Sequence, residues 1–148
     1  MEQTFIKLLD ENLESVDCRV KDTKIIITAK SIRKEVVCPY CGSISSRIHS
    51  VYQREIQDIP LHDKQTILLL STRKMFCDNQ KCTHKTFSER FNFVDLRGKK
   101  TKRLIEKILI TSTKLSSINA ASLLKNDSIQ VCKSSICNLL KKNAHDCG

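Results

Sequence analysis

No apolar run in this 148-residue chain approaches the roughly 20 residues that span a bilayer, and its opening Met-Glu-Gln-Thr-Phe-Ile-Lys lacks the basic-then-apolar layout of a signal peptide. The chain is therefore expected to be cytoplasmic and to have no membrane partner. Internal repeats and low-complexity segments are missing too, which leaves one ordinary domain or two small ones. Proline is scarce: Pro39 lies inside the stretch CPYCG and Pro60 is the other. Acidic residues nearly vanish after Leu96, where only Glu106, Asp127 and Asp146 remain.

That shortage of acid leaves the charge lopsided. Residues 97–148 hold eleven Lys/Arg against three Asp/Glu, a net +8, so this third of the chain carries most of the overall +10. Such asymmetry marks contact with a polyanion, nucleic acid before anionic membrane. Hydrophobic residues at 40% are enough for a folded core.

Eight cysteines in a reducing compartment are not expected to form a disulfide framework. Four of them, Cys18, Cys132, Cys137 and Cys147, have no close partner in sequence and read as small buried hydrophobes. The other four form two close pairs with the spacing C-x2-C-x35-C-x4-C: Cys38 and Cys41, then Cys77 and Cys82. Taken alone, Cys38-Pro39-Tyr40-Cys41 also suits a glutaredoxin-like dithiol, which needs a helix directly after it to lower a thiol pKa. The following GSISSR is a poor helix start, no βαβ alternation follows, and that reading leaves Cys77 and Cys82 unexplained.

Two close pairs instead make a closed tetrahedral site for one structural Zn²⁺, with Gly42 free to take positive φ after the second thiolate. His84, two residues beyond Cys82, is the one alternative ligand. His49 and His62 lack a paired partner and read as structural.

The text around these cysteines is β-like. Phe5 to Leu9 suggest a short helix, Val16 to Val20 and Lys24 to Ala29 a hairpin, and the two stretches between Cys41 and Cys77 a further pair of strands separated by Pro60 and LHDK. From Thr101 the period becomes helical, with Leu104, Ile108 and Leu115, then Ile118, Ala121 and Leu124, then Cys132, Ile136, Leu139 and Leu140 as the packed faces. The expected class is α+β: a β-rich zinc-binding domain over residues 1–96, then a three-helix, helix-turn-helix domain over 97–148.

The last two helices place Ala120 and Ala121 where a neighbouring helix crosses closely. The outer face of the last helix then offers Lys133, Ser134, Ser135, Asn138, Lys141 and Lys142, the short polar and cationic groups that reach base edges and phosphates in a major groove. The connection NDSIQV is longer than a strict helix-turn-helix allows. Upstream, Lys99, Lys100, Lys102 and Arg103 in RGKKTKR make a basic arm suited to gripping phosphates without reading sequence.

CPYCG, RIHSVYQREIQDIP, RKMFCDNQKC, KTFSERFNF and TKRL, followed by SINAASLLK and VCKSSICNLLKK, resemble in this order the insertion-sequence transposases of the ISL-three type. The resemblance covers roughly residues 36 to 143. It implies Cys38, Cys41, Cys77 and Cys82 as zinc ligands, and double-stranded DNA at the terminal inverted repeats of an element as the partner. Ser134, Ser135 and Asn138 are implied as recognition-helix contacts. Such a transposase continues into an RNase H-like domain whose three carboxylates hold two metal ions, and this chain stops at Gly148. The expectation is a DNA-binding part with no catalytic residues of its own, able to act as a homodimer. A zinc-stabilised transcriptional regulator with a helix-turn-helix would share the same features.

Overall fold

The computed structural model describes the backbone of residues 2–114, 117–126, 129 and 133–146, with side chains described over 4–113, 118–125, 129 and 133–140. It is a mixed α+β structure. A short helix α1 (Glu2–Leu9) leads into β1 (Leu13–Val20) and β2 (Lys24–Ser31), which pair antiparallel as the hairpin expected from their β-branched text. Two brief strands, β3 (Val36–Val37) and β4 (Ile44–Ser45), pair only with each other. Long strands β5 (Ile48–Leu61) and β6 (Lys64–Phe76) form an antiparallel ribbon, and the short β7 (Thr86–Ser88) returns along β6.

The main sheet runs β1-β2-β6-β5, with β2 and β6 parallel, and β7 beside the far end of β6. Its buried face carries Ile25, Ile27 and Ala29 of β2, Leu68 and Leu70 of β6 and Ile56 of β5. Ile6 of α1 and the aromatic pair Phe91 and Phe93 close over them. Pro60 does not separate the ribbon strands: β5 continues through it to Leu61, and the register breaks between Asp58 and Leu61 so that no ladder bond is asked of the ring nitrogen. The turn itself is the two residues His62 and Asp63, both at positive φ (49° and 60°) between the paired Leu61 and Lys64. That geometry matches the twist of the flanking strands, and His and Asp are among the few side chains that tolerate it.

A buried carboxylate locks the sheet near β7. Glu89 is fully buried and accepts from Ser31 Oγ at 2.7 Å and from Arg73 Nε and Nη2 at 3.0 and 2.9 Å, with Arg33 at 3.5 Å. Three segments, the end of β2 with Arg33, β6 and the stretch after β7, are held at one point by these contacts. An unpaired carboxylate there would be far costlier than the paired one observed.

Three helices follow: α2 (Lys102–Lys114), α3 (Ser117–Asn126) and α4 (Lys133–Asp146). Thr101 caps α2, its carbonyl accepting from Ile105 N at 3.0 Å and its hydroxyl from Leu104 N at 3.3 Å. Leu104, Ile108, Ala120, Leu124, Ile129 and Ile136 form a second apolar core, with Leu139 and Leu140 packed against it. The small Ala120 is fully buried, as expected for a close helix crossing. Ile118, expected on the packed face, is instead 63% exposed, because α3 buries the line through Ala120 and Leu124. The expected roles of Cys132 and Leu115 fall outside the described residues.

Sheet and helices are joined directly. Ile59 of β5 packs into the helical core. Gln57 N donates to Lys99 O (2.8 Å), and the Gln57 carbonyl accepts from Thr101 N (3.0 Å). Asp58, 1% exposed, accepts from Thr101 Oγ1 at 2.7 Å and from Arg103 through Nε at 2.8 Å and through Nη2.

Candidate zinc site

The first cysteine pair sits between β3 and β4. Cys38 N donates to Ser43 O at 2.8 Å and Gly42 N to Cys38 O at 2.9 Å, so the chain reverses within CPYCG. Gly42, at φ +78°, takes the left-handed conformation expected of it. A strand follows Cys41 rather than a helix, so the helix N-terminus that a glutaredoxin-like thiol requires is not there.

The second pair lies between β6 and β7. Cys77 N donates to Lys85 O (2.8 Å) and Cys82 N to Asn79 O (3.0 Å), while Asn79 Oδ1 accepts from Lys81 N (3.0 Å) to shape the turn. The two turns are held together beneath the cysteines. Phe76 N donates to Arg47 O (2.9 Å), the Ser45 hydroxyl donates to Phe76 O, and Arg47 Nε bonds Asp78 at 2.6 Å. Val36, Met75 and Phe87 form a small apolar floor under Cys38.

All four sulfurs lie within 4.8 Å of one another. Cys38 and Cys82 are 3.9 Å apart, Cys41 and Cys77 3.5 Å. Those spacings are far too long for disulfides. They bracket the about 3.8 Å separation of sulfurs at the corners of a tetrahedron with metal–sulfur bonds near 2.3 Å. The His84 amide donates to Cys82 Sγ at 3.4 Å, the kind of contact that stabilises a thiolate. The residues present fit one structural Zn²⁺ with a closed sulfur shell.

The thiols are not equivalent. Hydrogen bonds from Ser43, through its side chain and then its backbone, hold Cys41 down at about 6 against the usual 9.0. At Cys77 a backbone hydrogen bond from Asn79 pulls downward, yet desolvation and the neighbouring sulfurs of Cys41, Cys38 and Cys82 prevail and push it up to about 12. Cys82 is also raised: the His84 amide opposes, but desolvation and the crowding of Cys41 outweigh it. A charge on Cys41 thus discourages further ionisation nearby.

His84 lies outside the sulfur cluster. Its ring stacks on Tyr40 at 3.5 Å and 9°, with Nδ1 3.0 Å from Thr83 Oγ1. His49 packs edge-on against Phe76. Cys18 and Cys137 are half-buried, and Cys132 and Cys147 fall outside the described residues.

The basic candidates lie elsewhere. Lys99 and Lys102 are exposed and Lys100 half-buried, on a segment tied to β5. Arg103 is engaged with Asp58 and lies over the Phe5 ring, 5.2 Å from its centre. On α4, Lys133, Ser134 and Asn138 are exposed and Ser135 half-buried, away from Ile136; the side chains of Lys141 and Lys142 fall outside the described residues. Sequence reasoning missed Asp58 and Glu89, since single acids in strand text carry no spacing pattern.

Residues 34–82 match the family of the zinc-finger of transposase IS204/IS1001/IS1096/IS1165. The match spans both cysteine pairs and the ribbon that joins them. No curated protein and no solved structure is significantly similar to the chain. Among the described residues no helix is long and apolar enough to cross a membrane.

Proposed function

We propose that this chain is a DNA-binding part of an insertion-sequence transposase that recognises the element's terminal inverted repeats. The observation that carries the reading is the four-sulfur cluster lying within a segment that matches a transposase zinc finger. The zinc held by Cys38, Cys41, Cys77 and Cys82 shapes the fold, and four sulfur ligands leave it no open position for a substrate. Binding, not strand cleavage, is the role of these residues.

The helical region from 97 onward acts as the duplex-binding unit, with α3 and α4 as its helix-turn-helix. Lys99, Lys100 and Lys102 grip phosphates, joined by whatever donors of Arg103 the Asp58 pair leaves over. Lys133, Ser134, Ser135 and Asn138, with Lys141 and Lys142, enter the major groove. Supporting this are the net +8 of residues 97–148 and the exposure of Lys133, Ser134 and Asn138 opposite buried Ile136.

Fluorescence anisotropy of the full chain on inverted-repeat and scrambled duplexes tests the reading. If about six cations each neutralise a phosphate, log K falls with log salt at a slope near −5. Lys99→Ala and Lys100→Ala weaken both duplexes alike, whereas Asn138→Ala costs roughly 1 to 3 kcal/mol on the repeat alone. A slope near zero, or no binding at low salt, rejects it.

A further inference from the structure

A groove of about 530 Å³ opens beside the zinc site, where β5, β6 and β7 meet, on the same sheet face as Ile56, Leu68 and Leu70 but beyond the core. Its volume is within the about 300–1,000 Å³ of ligand sites. Tyr40, Tyr52, Lys74, Ser88, Arg90 and Arg97 line it, and no Asp or Glu does among the described residues. Three cations and two tyrosines with no opposing carboxylate stand out beside a sheet in which Arg33 and Arg73 pair with Glu89 and Arg47 with Asp78.

The groups are held in place. Tyr40, between the first two cysteines, stacks on His84, and the Arg90 guanidinium lies 5.6 Å from the Tyr40 ring centre. Tyr52 is 41% exposed, and its hydroxyl reaches Ser88 Oγ at 3.4 Å. Arg97 is carried by a loop that Arg54 pins through Asp95 O (2.8 Å) and Gly98 O (2.9 Å). The ordering cost of a binding surface is therefore largely met before a ligand arrives.

We propose that this groove is a second DNA-contacting surface that takes a single strand, a base against the Tyr52 ring and phosphates on Lys74, Arg90 and Arg97. Aromatic faces accept any base and cations track the backbone, so the contact is tolerant of sequence. It shares with the reading above only the identity of the ligand, and uses none of the helical residues. Because Tyr40 and His84 each neighbour a zinc-site cysteine, the groove keeps its shape only while the four-sulfur site is intact.

The test uses the full zinc-loaded chain with fluorescein-labelled oligothymidine and with a duplex of equal length. Tyr52→Leu should lower single-strand affinity roughly 5- to 150-fold, as expected for losing one stacked base, and Tyr52→Phe should retain it. Arg90→Gln with Arg97→Gln should make the single-strand salt slope shallower by about 1.4, from roughly 0.7 per phosphate contact. Zinc content and circular dichroism check each variant. Lys74→Gln, which keeps every aromatic, gives the slope readout should Tyr52→Leu lose zinc. Single-strand binding that survives Lys133→Ala/Asn138→Ala but fails in the groove variants supports the proposal. Unchanged affinity and slope in zinc-loaded groove variants overturn it and leave the helical reading standing. Binding of neither probe by the unaltered protein overturns both.

Discussion

Cys41 and Cys77 face each other across 3.5 Å and hold their protons very differently. Cys41, held near 6, is a thiolate at neutral pH, whereas Cys77, near 12, and the raised Cys82 keep their protons. Thiolate is the ligand form, so zinc uptake must expel the protons of Cys77 and Cys82, and affinity should rise with pH. The sign for the metal-free fold is separate: a depressed Cys41 favours it above the unfolded value of about 9, and that contribution is lost as pH falls through about 6. Zinc titration in weakly buffered solution with an indicator dye should show acidification on binding, and uptake without proton release would contradict the assignment. The four cysteines were legible in sequence because two close pairs are a spacing pattern. Glu89 and Asp58 were not, because a buried acid is recognisable only once its cationic partners, here Arg73 and Arg103, have been brought to it by the fold.

Among the elements, the β5–β6 ribbon was legible from its alternation and its turn from LHDK, but Pro60 belongs to β5 and not to the turn. The two-residue form of the turn was not legible, because His62-Asp63 lacks the Asn-Gly or Asp-Gly signature of such a hairpin. Helices α2 to α4 followed their period, except that α3 meets its neighbours through Ala120, Ala121 and Leu124 and leaves Ile118 exposed. What fastens α2 to β5 is the clasp of Asp58 with Thr101 and Arg103. Asp58→Ala removes the acceptor and leaves Arg103 uncompensated. Breaking a buried pair costs about 3–5 kcal/mol, and because the Arg103 side chain is 33% exposed the lower end applies. Urea unfolding followed by circular dichroism should show a lower midpoint with zinc content unchanged. A midpoint equal to that of the unaltered protein would mean that the clasp contributes nothing.

For the molecule as a whole, the α+β class and the position of the zinc site were readable, whereas the parallel pairing of β2 with β6 was not. That pairing aligns Lys24 with Gln65, across a connection containing the first cysteine turn and all of β5, and no local pattern encodes so distant a register. The ribbon also fixes a length. Between Ile48, beside the zinc end, and Asp58, beside the helices, ten steps of strand at about 3.3 Å each make at most about 33 Å. One turn of B-form DNA is about 34 to 36 Å. The groove proposed above opens at Tyr52, six steps or about 20 Å along the strand from the Asp58 clasp, so a strand leaving the groove meets the helical unit within one such turn, and a junction of duplex and single strand is the DNA shape that engages both proposed contacts. Hydroxyl-radical cleavage of an element end carrying a single-stranded overhang should then show protection of both the duplex and the overhang beside it, and protection of the duplex alone would show that only the helical unit is in use.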